Sequence, residues 1–292
     1  MAFSFLISRM KIILLFTGLV FLTGCSSLYF YPQKNLIRVP TDVNVAYQDV
    51  RFKTVDGKQI HGWYLPALNQ DSMPSSHTAK GTVFFLHGNS LNISYYLRSV
   101  YWLPEHGYNV FLFDYRGFGL SQGEAELPEI YNDIEAAHKW LQAEHIQQQP
   151  KPVFVLGQSI GGALGSYWIG KYQPDIAGFI IDSSFSSFNN MVQHVSNNVW
   201  LLWPFQYPIR WSFNSDFNPE IYAPQIKAPI LQFHSPDDEV VPYFEGERLH
   251  ESLRAPKKWV ETYGAHINTF NIQSNRDELV KFLDQYSQSS SK

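Results

Sequence analysis

The sequence predicts an α/β protein: a mostly parallel central sheet, helices on both of its faces, and a short aromatic-rich insertion. Three observations lead there. Near-continuous apolar runs at 82–86, 109–113, 152–156, 178–181 and 229–233 are strand-sized and lack alternation, as expected of strands buried on both faces. Between them lie helical periodicities, such as Ile130, Ile134, Ala137 and Leu141 on one apolar face. The third is Gly157-Gln158-Ser159-Ile160-Gly161, set between the apolar run 152–156 and a small-residue stretch that reads as a helix.

The chain opens with a targeting segment. Arg9 and Lys11 precede an apolar run, Ile12 to Leu22, which is too short to span a bilayer comfortably and suits a signal peptide. Leu22-Thr23-Gly24-Cys25 follows and resembles the bacterial lipobox, in which the cysteine is acylated and becomes the new N-terminus. Cys25 is the only cysteine, so an internal disulfide is excluded. The expectation is a leader over 1–24, a lipidated tether over 25–44 and membrane attachment through Cys25. Ser26 resembles the residue that sorts such proteins to the outer membrane, which implies the periplasmic face of that membrane. The tether holds Tyr29, Phe30 and Tyr31, which suit either a lipid interface or packing on the domain.

The domain is expected over 45–286. Runs at 50–54 and 59–65 read as two strands joined across Val55-Asp56-Gly57-Lys58, a hairpin turn. Residues 70–80 read as a polar loop, 93–106 as a helix, 258–262 as the last strand and 276–286 as the closing helix. The alternation breaks over an insertion of about 184–227. Its stretch 196–217 carries Trp200, Trp203, Phe205, Tyr207, Trp211, Phe213 and Phe217, as a lid over the sheet would. Residues 287–292 form a polar tail.

Composition narrows the function. Of 292 residues, 45% are hydrophobic and 16% charged, enough for a large core. The net charge of −4 gives no support for nucleic-acid binding. Removal of 1–24 would leave 20 Lys and Arg against 26 Asp and Glu, a net charge of −6. No His, Cys, Asp and Glu cluster has metal-ligand spacing, and Gly117-Phe118-Gly119 is too short for a dinucleotide fingerprint, so no metal and no cofactor is expected.

A serine on a strand-to-helix turn is exposed, yet its hydroxyl is a poor nucleophile. It requires a base, a group that orients the base, and donors for the oxyanion. In a parallel sheet these belong after the C-terminal ends of strands. His266 follows the last strand and is C-terminal to Ser159, whereas His87 precedes it and His234 reads as a structural histidine. The orienting acid is Asp238, Asp237 or Asp182, with Asp238 in the best context before Val240-Val241-Pro242. The oxyanion donors are the backbone N–H groups of Ile160, at a helix start, and Asn89, after His87-Gly88.

Together His87-Gly88-Asn89, Asp114-Tyr115-Arg116-Gly117-Phe118-Gly119, Gly157 to Gly162, Asp238 and His266 resemble the α/β-hydrolase fold serine hydrolases. The resemblance covers about 45–285 and is strongest to the monoacylglycerol-lipase-like and serine-aminopeptidase-like branch, which includes bacterial lipoproteins. It implies nucleophile Ser159, acid Asp238, base His266 and oxyanion donors Asn89 and Ile160. One departure is Ser235, where relatives carry glycine. The implied activity is hydrolysis of a small-molecule carboxylic ester or amide through an acyl-enzyme, with esters favoured. A peptidase of the same fold and a non-catalytic surface lipoprotein are the rival readings. The sequence does not specify acyl selectivity or oligomeric state.

Overall fold

The computed structural model describes residues 30–143, 151–198 and 206–288. The expected leader 1–24, Cys25, Ser26, Tyr29, Trp200, Trp203, Phe205 and residues 289–292 lie outside the described residues.

Eight strands form one sheet: β1 (Gln48–Lys53), β2 (Gln59–Leu65), β3 (Gly81–Leu86), β4 (Tyr108–Phe113), β5 (Val153–Gln158), β6 (Gly178–Asp182), β7 (Ile230–His234) and β8 (Lys257–Glu261). Their spatial order is β8-β7-β6-β5-β3-β4-β2-β1. Strands β8 through β4 are parallel, and β2 and β1 join antiparallel at one edge. Every residue of β3 through β7 is buried, because layers cover both faces. Edge strand β8 instead carries Lys257, Lys258 and Glu261, charges that discourage pairing with another edge.

Six helices of seven or more residues are described: α1 (Ile130–Leu141), α2 (Ile160–Tyr172), α3 (Phe188–Asn198), α4 (Gln206–Ser212), α5 (Tyr243–Ser252) and α6 (Gln273–Ser287). On one face Ile134, Ala137, Leu164 and Trp168 of α1 and α2 pack with Phe84, Phe111 and Phe113. On the other, Leu279, Phe282 and Leu283 of α6 pack with Leu156 and Ile180. Each such side chain contributes about 1.5–3 kcal/mol when fully buried. Helix α2 is buried from Ile160 to Gly170, so it has no polar face and sits as a core element behind the elbow.

The expected hairpin closes with Gly57 at φ +80°, a conformation that favours glycine. Its Asp56 accepts from Arg116, whose guanidinium also binds the buried Asp133. One expectation changes. The helix expected over 93–106 breaks into short turns, Ile93–Tyr96, Leu97–Ser99 and Leu103–His106. Pro104 lacks an N–H and cannot continue a helix running into it. In the expected tether, residues 30–44 pack on the domain: Phe30 is buried against Phe118, and Tyr31–Pro32 pairs in parallel with Ser90–Leu91.

Candidate active site

Strand β5 ends at Gln158, and Ser159 follows at φ 55°, ψ −123°, outside the usual regions for a residue with a side chain. The turn is possible because its neighbours are glycines. A Cβ on Gly161 would strike the Leu86 carbonyl oxygen, and one on Gly157 would approach the Gly161 carbonyl oxygen to 2.5 Å. The Ser159 N–H donates to the Asp182 carbonyl at 2.8 Å, which pins the elbow to β6. Ser159 is thereby fixed at the head of α2, with its hydroxyl aimed at the loops beyond the sheet.

Ser159 Oγ lies 3.0 Å from His266 Nε2, and His266 Nδ1 lies 2.7 Å from Asp238 Oδ2. A carboxylate only accepts, so Nδ1 carries the proton and Nε2 is left to accept from the serine hydroxyl. The residue after the histidine, Ile267, sits at φ 54°, an unusual conformation for a β-branched side chain. Asp238 Oδ1 accepts from the N–H groups of Val240 and Val241 at 2.9 and 2.8 Å. Burial opposes its charge, but the His266 hydrogen bond and charge and these two N–H groups prevail. They hold the carboxyl below the usual carboxylate range.

The other two acid candidates are engaged elsewhere. Asp237 is exposed and accepts from the Gly264 N–H at 3.2 Å. Asp182 is fully buried and accepts from Gln158 Nε2 at 2.7 Å and Thr269 Oγ1 at 2.6 Å. Burial raises its carboxyl pKa, against the pull of those two donors. Ser235, the departure from the family pattern, is buried and accepts the Asp237 N–H on its hydroxyl. Its carbonyl accepts the Asp238 N–H, so the serine builds the turn that presents Asp238.

The pairing of Leu86 with Gly157 brings the loop after β3 level with the elbow. His87 is buried there, with Nδ1 donating to the Gly88 carbonyl at 2.7 Å and Nε2 accepting the Tyr115 N–H at 3.4 Å. Burial lowers its pKa, so the ring stays neutral and shapes the loop that leads to Asn89. A Cβ on Gly88 would run into the Tyr96 ring and hydroxyl. Ile160 is the first residue of α2, where an N–H has no acceptor within the helix. His234 is buried, gives Nε2–H to the Val241 carbonyl at 3.1 Å and stacks on Trp259, away from the serine.

Three contributions escape sequence reasoning. Thr269 has no motif that pairs it with Asp182. Residues 31–33 run along the loop after β3, where the Tyr31 N–H donates to the Asn89 carbonyl at 3.2 Å. Buried Glu245 of α5 accepts from the Ser186 hydroxyl at 2.6 Å and from Asn190 Nδ2 at 2.9 Å, tying the insertion to the helix that follows the Asp238 loop. Among the described residues no group of three or more His, Cys, Asp or Glu is placed to hold a metal, and no helix is long and apolar enough to cross a membrane.

A mostly parallel sheet with a serine on a strained strand-to-helix turn, and a histidine and an acid on later strand ends, defines an α/β-type hydrolase. A family model described as serine aminopeptidase, S33, matches residues 77–212. The uncharacterized protein YfhR of Escherichia coli O157:H7 is 30% identical over 243 residues, 81% of this chain and 80% of YfhR. The α/β hydrolase domain-containing protein WAV2 of Arabidopsis thaliana is 26% identical over 233 residues, 74% of this chain and 70% of that protein. Among solved structures, an esterase of Pyrococcus furiosus superposes with a TM-score of 0.71 at 22% identity, over 88% of this chain and 98% of the esterase. The chain belongs to the α/β-hydrolase family.

Proposed function

We propose that this chain is a membrane-anchored serine hydrolase that cleaves carboxylic ester or amide bonds through an acyl-enzyme on Ser159. The observation that carries the reading is the unbroken hydrogen-bond chain from Ser159 Oγ through His266 to Asp238. In the first step Ser159 Oγ attacks the substrate carbonyl carbon while His266 Nε2 takes its proton. The oxyanion forms beside the Asn89 and Ile160 backbone N–H groups, where one such donor is worth about 10²–10³ in rate. The bond to the leaving oxygen or nitrogen then breaks, and His266 returns the proton to it. Water attacks the acyl-enzyme, giving its proton to Nε2. Collapse of the second intermediate frees the carboxylic acid and reprotonates Ser159. Asp238 keeps the Nδ1–H tautomer throughout and stabilises the imidazolium.

Expected of Ser159→Ala is loss of nearly all turnover of p-nitrophenyl esters with an unchanged folding transition; retention of wild-type turnover overturns the mechanism. The family model's description as a serine aminopeptidase favours a second reading, hydrolysis of amides. Parallel rates on aminoacyl arylamides and short-chain esters separate the two, and we expect esters to be preferred. Attachment is proposed through acylated Cys25, at the periplasmic face of a bacterial outer membrane. Mass spectrometry of the N-terminal peptide tests the acylation.

A further inference from the structure

We infer that the mouth of this site faces the membrane that holds the chain, and that its substrate is an amphiphilic acyl ester drawn from that bilayer. The inference rests on the anchored-hydrolase reading above. Its first support is covalent reach. The N-terminal segment is fastened at the C-terminal ends of the strands, within the site itself. The Tyr31 N–H donates to the Asn89 carbonyl, the Gly119 N–H donates to the Gln33 carbonyl, and Lys34 Nζ donates to the Ser121 carbonyl at 2.8 Å. Cys25 and Phe30 are five positions apart, and a chain extends at most about 3.6 Å per residue, or ~18 Å in all. An acyl group on Cys25 therefore holds the bilayer surface within about 18 Å of Phe30. A strand of six residues such as β3 spans five steps, ~17 Å, and the Asn89 contact lies three residues beyond its end. The C-terminal strand ends thus lie well inside the anchor's reach and the N-terminal ends at its limit, about 18 Å of fully extended chain.

The second support is the character of the reachable face. Tyr31 beside Asn89 is 60% exposed, and Trp211 in the insertion is 76% exposed. Leu120 after β4, Tyr207 in α4, Phe244 after β7 and Tyr263 after β8 are also exposed. Apart from Tyr31, each lies in a segment that follows the C-terminal end of a strand, the end of the sheet at which Ser159 sits. Tyrosine and tryptophan join an apolar body to a polar tip and settle at the boundary between headgroups and acyl chains. The mature chain's net charge of −6 gives no electrostatic attraction to anionic lipid, so seating depends on these apolar side chains. A carbonyl at that boundary lies within a short excursion of Ser159, whereas a dilute soluble ester must find the mouth by diffusion.

The test uses the full-length acylated protein in phosphatidylcholine vesicles. With Cys25 acylated, an introduced cysteine is the only free thiol. Tyr207→Cys and Gln285→Cys are labelled with an environment-sensitive dye. Gln285 is exposed on α6 beside Asp284, which hydrogen-bonds Tyr108 at the N-terminal end of β4, so it reports the far face. Expected is a blue shift and quenching by a lipid-borne quencher at 207 and neither at 285. In a second variant a flexible spacer of about 20 residues separates Ser27 from Leu28. It is expected to lose threefold or more of its rate on a vesicle-borne long-chain ester while p-nitrophenyl acetate turnover is unchanged. Equal quenching at the two positions, or undiminished lipid-ester turnover with the spacer, overturns the inference. An unacylated wild-type protein overturns it as well. The dye pattern needs no turnover, and the soluble ester needs no membrane. Absent turnover with the dye pattern intact overturns the hydrolase reading and the substrate assignment that rests on it, and supports the docked orientation.

Discussion

Thr269 donates a 2.6 Å hydrogen bond to Asp182, and the backbone carbonyl of that same Asp182 accepts the Ser159 N–H at 2.8 Å. Asp182 thus joins the loop that carries His266 to the elbow that carries Ser159. Asp182→Ala leaves the buried Thr269 hydroxyl and Gln158 amide without their acceptor, at about 1–3 kcal/mol for each. We expect a lower urea midpoint and a fall in kcat, with Asp182→Asn intermediate in both. Wild-type kcat in Asp182→Ala would show that the link does not position His266.

Asp238→Asn keeps the shape of the loop but exchanges the acceptor facing His266 Nδ1 for a group that can donate. The imidazole then favours the wrong tautomer, and the expected loss in kcat is about 10⁴-fold. Asp237→Asn, at a side chain that accepts from the Gly264 N–H and faces away from His266 Nδ1, whose partner is Asp238, is expected to stay within a few-fold of wild type. Steady-state ester kinetics on the two variants decide which aspartate is the acid.

Gly161→Ala places a methyl group against the Leu86 carbonyl. Neither β3 nor α2 yields readily, since both are buried on all sides, and overpacking of this kind costs about 1–3 kcal/mol. Denaturant unfolding is expected to show that loss, accompanied by slower fluorophosphonate labelling of Ser159.

Stability is expected to fall in mild acid. Burial lowers the pKa values of His87 and His234, so both remain neutral in the folded chain while their unfolded counterparts take up protons near pH ~6.5. The unfolded state then binds more protons, and stability decreases as the pH drops below that value towards the lowered folded values, by up to ~1.4 kcal/mol per pH unit for each proton. Urea titrations at pH 7, 6 and 5 measure the slope. His234→Gln, which can still donate to the Val241 carbonyl, is expected to make it shallower.

Glu245→Ala removes the buried carboxylate that holds Ser186 and Asn190. The insertion is expected to loosen, with KM for long-chain esters rising more than kcat falls. Limited proteolysis near residues 188–198 is expected to quicken.

Local pattern determined much of this protein. Apolar runs of strand length marked β3 through β7, because strands buried on both faces need apolar residues at every position. Gly157, Gly161 and the intervening Ser159 marked the elbow, because the turn excludes a Cβ at two neighbouring sites. Chain order alone placed His266 and the 237–238 pair after the last two strands. Only the tertiary structure set Asp238, and not Asp237, against His266. Adjacent side chains on one loop differ in direction alone, and the Val240 and Val241 N–H groups set that direction. It likewise decided that Asp182 holds Thr269 across 87 positions, that residues 30–44 lie on the domain, and that Phe213 is buried while Trp211 faces outward. Periodicity reports how a residue relates to its own helix or strand. Which distant surface that element meets is settled in the tertiary fold, where backbone pairing with Ser90 and Leu91 and the packing of Phe30 on Phe118 bring the N-terminal segment against the Asn89 loop.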